Sequence, residues 1–172
     1  MLTIPPGIQD PNYRYKMPKM QLSQESRLNG VKTNIVNLVD VSEHLRVPGE
    51  AVMKYLCAEL GANKEQTSLI KGNHTYDMLL KHLTKFIERY VICKHCKYPE
   101  LQRFSEGKND LRSKCMACGQ TTIHDAHHKA GKSLLLHLGK KTKEDITNKD
   151  GKNADVQSDE SGDQSGKQEE EE

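Results

Sequence analysis

At 172 residues the chain has room for one ordinary domain or two small ones. Hydrophobic residues make up 34% and aromatic residues 5%, with no Trp, so the whole chain cannot close around a single core and part of it is expected to stay disordered. The net charge of +2 hides a split: residues 1–138 hold 20 Lys+Arg against 13 Asp+Glu, and residues 139–172 hold 6 against 11, giving a basic body that suits an RNA surface and an acidic tail.

In chain order, the opening MLTIPPGI is broken by two prolines and has no h-region, so neither a secretory signal nor a membrane span is expected and the expected location is cytoplasmic. Residues 1–20 read as a flexible N-terminal arm, within which Tyr13, Arg14, Tyr15 and Lys16 form an aromatic-basic cluster. Tyrosines beside a basic residue suit RNA binding, or Arg14 is a surface arginine stacked between Tyr13 and Tyr15. Residues 21–90 read as an α+β domain. Asn29-Gly30 suits a tight turn, and the β-branched run 31–41 predicts a strand in its middle. Asp40 and Glu43 have capping-box spacing, predicting a short helix that stops before Pro48.

Pro48 suits the first position of a second helix, which would bury Val52, Met53, Leu56, Cys57 and Leu60 and end at Gly61. The two helices meeting near Pro48 predict a helix-turn-helix-like pair. TSLIKG (67–72) reads as a weak strand. Leu79, Leu83, Phe86 and Tyr90 form the apolar stripe of a packed helix over 76–90.

Residues 91–138 carry Cys93-x-x-Cys96 and Cys115-x-x-Cys118, separated by 18 residues, a spacing within the zinc-site range. Each pair can fold into a knuckle presenting two thiolates. Two knuckles joined by a strand, turn and strand over 100–115 predict a zinc ribbon with one structural zinc ion and no open coordination position. His95, His124, His127 and His128 are expected to be surface residues rather than ligands, and Cys57 a small buried core residue. A short helix or extended cap is expected over 127–138. Residues 139–172, with one Ile and one Val, read as a disordered acidic tail. No G-x-x-x-x-G-K-[ST] string is present, so the chain is not expected to carry a GTP site of its own.

YRYKMP (13–18), NGVKTNIVNLVDV (29–41), KYLCAELGA (54–62), the paired cysteines and HDAHHK (124–129) together resemble the N-terminal domain of eukaryotic translation initiation factor 5. The beta subunit of initiation factor 2 shares the central domain and ribbon. The resemblance covers about residues 10 to 138 and implies an α+β fold: a small mixed α/β domain followed by a zinc ribbon. It also implies a non-enzymatic factor that activates GTP hydrolysis by initiation factor 2 and contributes to start-codon selection. The implied partners are the gamma GTPase and beta subunit of that factor, the initiator tRNA, and the small ribosomal subunit with mRNA. The chain alone is expected to be a monomer.

By the same resemblance Arg14 is an arginine finger, and Arg27, Asn29, Lys32 and Lys54 contact tRNA or a partner. The sequence departs from the family pattern at Leu28, where glycine is usual, and in a short 63–68 loop. Family members continue into a helical-repeat domain, so by the resemblance the chain is expected to be either a fragment or a reduced form that keeps the activating module. A beta-subunit-like scaffold or RNA-binding subunit, and a DNA-reading transcription factor, are the other function classes that the elements allow.

Overall fold

The computed structural model describes residues 1–27, 30–107 and 109–150, with side chains for all of these except 27 and 140–150. Strands β1 (Leu2–Thr3) and β2 (Lys16–Met17) pair antiparallel, Leu2 opposite Met17. Ile4, Met17 and Met20 all enter the main core. The segment expected as a flexible arm is therefore tied down at both ends. The physical reason is that its polar middle is flanked by apolar residues, whose burial offsets the entropy lost in ordering the chain.

The second sheet has strand order β3 (Leu22–Arg27), β4 (Gly30–Ile35) and β5 (Leu69–Lys71), all antiparallel. Thr33, Ile35 and Ile70 point inward from it and are fully buried. The β3–β4 register pairs Arg27 with Gly30, so Gly30, at φ +97°, begins a strand rather than sitting within the turn. Asn29 itself lies outside the described residues.

Helix α1 (Leu38–His44) opens two residues before the expected Asp40 start. The predicted Asp40/Glu43 capping box does not form. Asn37 holds the capping position without a side-chain cap, because its amide ties the entry loop instead: Oδ1 accepts from the Gln21 N–H at 2.8 Å and Nδ2 donates to Lys19 O at 2.8 Å. The early start carries Leu38 and Val41 into the core.

The chain turns at Arg46, φ +53°, into α2 (Gly49–Glu59), with Pro48 at the capping position just before the helix rather than as its first residue. Gly61, at φ +61°, follows α2 as the expected stop. Helix α3 (Tyr76–Tyr90) is capped by Thr75, whose hydroxyl accepts from the Met78 N–H. Its predicted stripe of Leu79, Leu83, Phe86 and Tyr90 is fully buried. Tyr55 of α2 closes on that stripe, with ring centroids 5.3 Å from Phe86 and 6.3 Å from Tyr90.

The third sheet, order β6 (Leu101–Gly107), β7 (Asp110–Cys115), β8 (Thr121–His124), carries the cysteine pairs. The two-stranded expectation missed β8, although its burial alternates, Thr122 and His124 in, Thr121 and Ile123 out. Helix α4 (Lys129–Asp150) runs past position 138, across residues that read as tail in the sequence. The remainder of that tail, 151–172, lies outside the described residues.

The third sheet is joined to the helices at the end of α3. Arg103 of β6 donates to Tyr90 O and to Arg46 O, both at 2.8 Å. His124 bridges the Arg89 carbonyl, 2.9 Å from Nδ1, and the Ser113 hydroxyl, 2.6 Å from Nε2. A carbonyl only accepts, so Nδ1 carries the proton and Nε2 accepts from Ser113 in neutral imidazole. His124, expected at the surface, is therefore buried. Tyr90 donates to Asp125 O at 3.0 Å, and Arg89 pairs with the Asp125 carboxylate at 2.9 Å. Where α4 crosses this joint, Gly131 has no room for a side chain, since a Cβ there would lie 2.2 Å from the Asp125 carbonyl.

Burial holds the His124 pKa below its usual value, and the nearby positive charges of Arg103 and Lys94 act in the same direction. The unfolded chain then takes up a proton near the usual value of about 6.5 that the folded state refuses. Unfolding free energy is expected to be level above that pH and to fall as the pH drops below it, measured by urea denaturation between pH 7.5 and 5.5. Gly131→Ala is expected to cost about 1–3 kcal/mol in the same assay through overpacking.

Candidate metal centre and N-terminal arm

The two Cys-x-x-Cys turns are built alike. In the first, the Lys97 N–H donates to Cys93 O at 3.0 Å and the Cys93 N–H to Tyr98 O at 3.0 Å. In the second, the Gly119 N–H donates to Cys115 O and the Cys115 N–H to Gln120 O, both at 2.9 Å. The residue after each second cysteine takes a positive φ, 64° at Lys97 and 74° at Gly119. Glycine meets that demand without cost, whereas lysine is held there by the turn.

The strand register places Leu101 opposite Cys115 and so brings the turns together. Ligand atoms of Cys93, Cys96, Cys115 and Cys118 lie within 4.8 Å of one another. Cys93 Sγ is 3.7 Å from Cys118 Sγ, and Cys96 Sγ is 3.5 Å from Cys115 Sγ. These separations are far too long for disulfides. They match the edge of about 3.8 Å expected of a sulfur tetrahedron with metal–sulfur bonds of about 2.3 Å, the zinc–thiolate length.

The electrostatics lead the same way. Burial raises the Cys93 thiol, but the backbone N–H groups of Cys96 and His95 and the neighbouring thiols outweigh it and bring its pKa down to about 7. At Cys96 a backbone N–H from Tyr98 favours the thiolate, yet burial and the adjoining sulfurs push the pKa up to about 12. One thiolate forms readily here and further ones repel it, so full ionisation of the cluster requires a cation at its centre. No histidine joins the cluster among the described residues. His95 and His127 are exposed, His124 serves the joint with α3, and the His128 ring rests 4.9 Å from that of Tyr55.

The arm lies beside the first turn. Tyr13 donates to Ile4 O at 2.9 Å, and the Ile4 N–H donates to Tyr15 O at 2.9 Å. The Tyr13 and Tyr15 rings meet edge to face, 5.7 Å between centroids. The Tyr15 phenol donates to the Glu100 carboxylate, and that bond, followed by desolvation, raises its pKa above the usual tyrosine value. Arg14 is exposed, its guanidinium carbon 5.7 Å from the centre of the Tyr15 ring, with no ion pair among the described residues.

The other basic candidates stand elsewhere. Lys32 on β4 forms an ion pair with Glu65 at 2.7 Å, and its ammonium depresses the Glu65 pKa. Lys54 pairs with Glu50 one helical turn earlier at 2.9 Å. Both lysines, expected from the resemblance to contact tRNA or a partner, are thus engaged with carboxylates of the chain itself. The Arg27 side chain and all of Asn29 lie outside the described residues. Sequence reasoning missed Tyr98 and Glu100 as neighbours of the arm, for Tyr15 and Glu100 are 85 positions apart and no local spacing links them.

Residues 5–121 match the family described as a domain found in initiation factors 2B and 5. The chain is 40% identical over 134 residues to eukaryotic translation initiation factor 5 of Saccharomyces cerevisiae, covering 73% of this chain and 32% of that protein. It is 37% identical over 139 residues to the factor 5 of Caenorhabditis elegans, covering 78% and 32%. A probable factor 5-1 of Arabidopsis thaliana is 39% identical over 131 residues, covering 73% and 30%. The chain thus spans about a third of the length of these relatives.

One thiophilic divalent ion per chain is expected to bind, read as thiolate-to-metal charge-transfer absorption during cobalt titration and abolished by Cys96→Ser. A strong chelator is expected to remove amide protection from 93–124, because about 10–16 kcal/mol of metal affinity is typical of small thiolate sites whose folding depends on the ion.

Proposed function

Because the chain belongs to the family defined by the domain of initiation factors 2B and 5, we propose that it is a translation initiation factor that activates GTP hydrolysis by initiation factor 2 in the small-subunit pre-initiation complex. In this reading it contributes to start-codon selection, works in the cytoplasm, and supplies an arginine to a partner GTPase without being an enzyme itself. Among the described residues no helix is long and apolar enough to cross a membrane.

The observation that carries the reading is the presentation of Arg14: an exposed guanidinium without a carboxylate partner among the described residues, between two tyrosines whose phenols are both engaged, Tyr13 with the Ile4 carbonyl of the arm and Tyr15 with Glu100. Phosphoryl transfer spreads negative charge over the γ-phosphate oxygens, and a planar guanidinium from a partner stabilises it with several donors at once. A finger of this kind supplies about 10³–10⁵ in rate, or roughly 4–7 kcal/mol. An arginine already paired with a carboxylate would first have to break that pair, and among the described residues Arg14 has none to break.

We assign zinc to the four-cysteine centre, which makes the third sheet and its two turns a zinc ribbon. Cys93, Cys96, Cys115 and Cys118 would hold one ion in a closed thiolate set. Such an ion supplies a cross-link between the turns and no reactive position. Arg27, Asn29, Lys32 and Lys54 are proposed contacts to initiator tRNA. Lys32 and Lys54 would exchange Glu65 and Glu50 for phosphates, at smaller cost for the more exposed Lys54 pair than for Lys32, whose side chain is only 13% exposed.

A second reading rests on the guanidinium's position near the Tyr15 ring, which also suits a nucleotide contact. In it the chain is a beta-subunit-like scaffold or RNA-binding subunit. The readings separate in single-turnover GTP hydrolysis by a reconstituted initiation complex. Arg14→Ala is expected to slow hydrolysis by about 10³-fold or more with binding retained. A loss below about tenfold, together with a salt-dependent fall in tRNA affinity, would favour the scaffold.

A further inference from the structure

The second tyrosine of the arm leads to the cysteine centre. Tyr98 and Glu100 lie on the short link between the first cysteine turn and β6, and the backbone of that link is gripped by both turns. The Cys93 N–H donates to Tyr98 O at 3.0 Å, and the Met116 N–H from the second turn donates to Glu100 O at 2.9 Å. Pro99 between them is buried and has a fixed φ. The side chains of the link then hold Tyr15, the Glu100 carboxylate accepting from its phenol and the Tyr98 ring lying 6.2 Å from its ring. Tyr15 is also fixed through its carbonyl by Ile4, which is 2% exposed. Held at backbone and at phenol, Tyr15 leaves its predecessor few directions in which to project.

We infer that Tyr98 and Glu100 are positioning residues for Arg14, setting through Tyr15 the direction in which the guanidinium leaves the protein. The inference rests on the reading of Arg14 as the group that meets the partner's nucleotide. Neither residue touches that nucleotide. Each acts by narrowing the orientations of the arm, so that less ordering remains to be done when the complex forms. A merely structural surface contact would contribute to stability and leave the rate of hydrolysis alone. Positioning predicts the reverse, because misplacing a reacting group by about 1 Å can cost about 10²-fold.

The test compares Glu100→Ala, Glu100→Gln, Tyr98→Ala and Arg14→Ala in the full chain, with wild-type metal content and thermal melting checked for each. The maximal single-turnover rate at saturating factor, the affinity for the partner complex, and amide exchange over residues 4–17 of the free protein are measured. Glu100→Ala is expected to lower the maximal rate about tenfold, since the arm keeps its Tyr13 and β1–β2 ties. It should leave affinity within about twofold and speed exchange at the Ile4 amide. Glu100→Gln, whose amide oxygen still accepts from the phenol, is expected to recover most of the rate.

The Tyr98 side chain, 46% exposed, can be removed without opening a core, so Tyr98→Ala carries the test if Glu100→Ala folds poorly. The inference is overturned if Glu100→Ala and Tyr98→Ala keep wild-type rate and exchange while Arg14→Ala is inactive. If Arg14→Ala retains full rate, the reading of the arginine itself fails, and this positioning role fails with it.

Discussion

Helix α3 ends inside the protein, and the last carbonyls of any helix lack partners within it. Here that deficit is met from the cysteine-bearing sheet. Arg103 donates to Tyr90 O and His124 donates to Arg89 O, while Tyr90 itself reaches Asp125 O. A cation at this end of a helix also faces the favourable pole of its dipole. Burial lowers the Arg103 pKa to about 10, leaving it charged at neutral pH, and raises that of Tyr90 to about 12, leaving it protonated as a donor. Docking of the third sheet therefore follows from a requirement of α3, and the rest of the architecture is arranged around that joint.

Apolar packing reinforces it. Tyr55, Phe86 and Tyr90 gather rings from α2 and α3, and His128 lies against Tyr55 at the entry to α4. Leu111 of β7 and Leu134 of α4 belong to the same core as Ile4 and Met17 of the N-terminal segment. Cys93, Leu101 and Cys115 form a separate small cluster, too few apolar groups to hold two turns together. That imbalance explains why four cysteines able to hold a metal ion belong at that end. The bound ion would supply the cohesion that a larger core supplies elsewhere.

The arm connects the two ends. Its apolar residues join the main core, and its Tyr15 joins the link between the cysteine turns, so Arg14 is carried between a hydrophobic anchor and a hydrogen-bonded one. Much of this is legible along the chain wherever a local period decides the outcome. The stripe from Leu79 to Tyr90 marks α3 with the same ends, and Gly61 stops α2. The capping-box reading at Asp40 fails because a tertiary demand, Leu38 reaching the core, competes with local capping. Strand β8 escapes notice because its four residues are too few for alternation to stand out, and His124 reads as a surface residue for the same reason.

Spacing alone determined that four cysteines would act as two paired turns, since the geometry of Cys-x-x-Cys is local and 18 intervening residues suffice for a hairpin. Period likewise determined the buried face of α3, whereas α2 also buries Ala51 and Tyr55, outside the expected set, and leaves Leu60 half-buried. Only the tertiary structure decided which polar groups meet: Lys32 with Glu65, His124 with Ser113 and the end of α3, Tyr15 with Glu100. The physical reason is that these partners lie far apart along the chain and are brought into reach by burial elsewhere. A hydrogen bond has no range beyond contact, so the sequence names the donors and acceptors while packing selects the pairs.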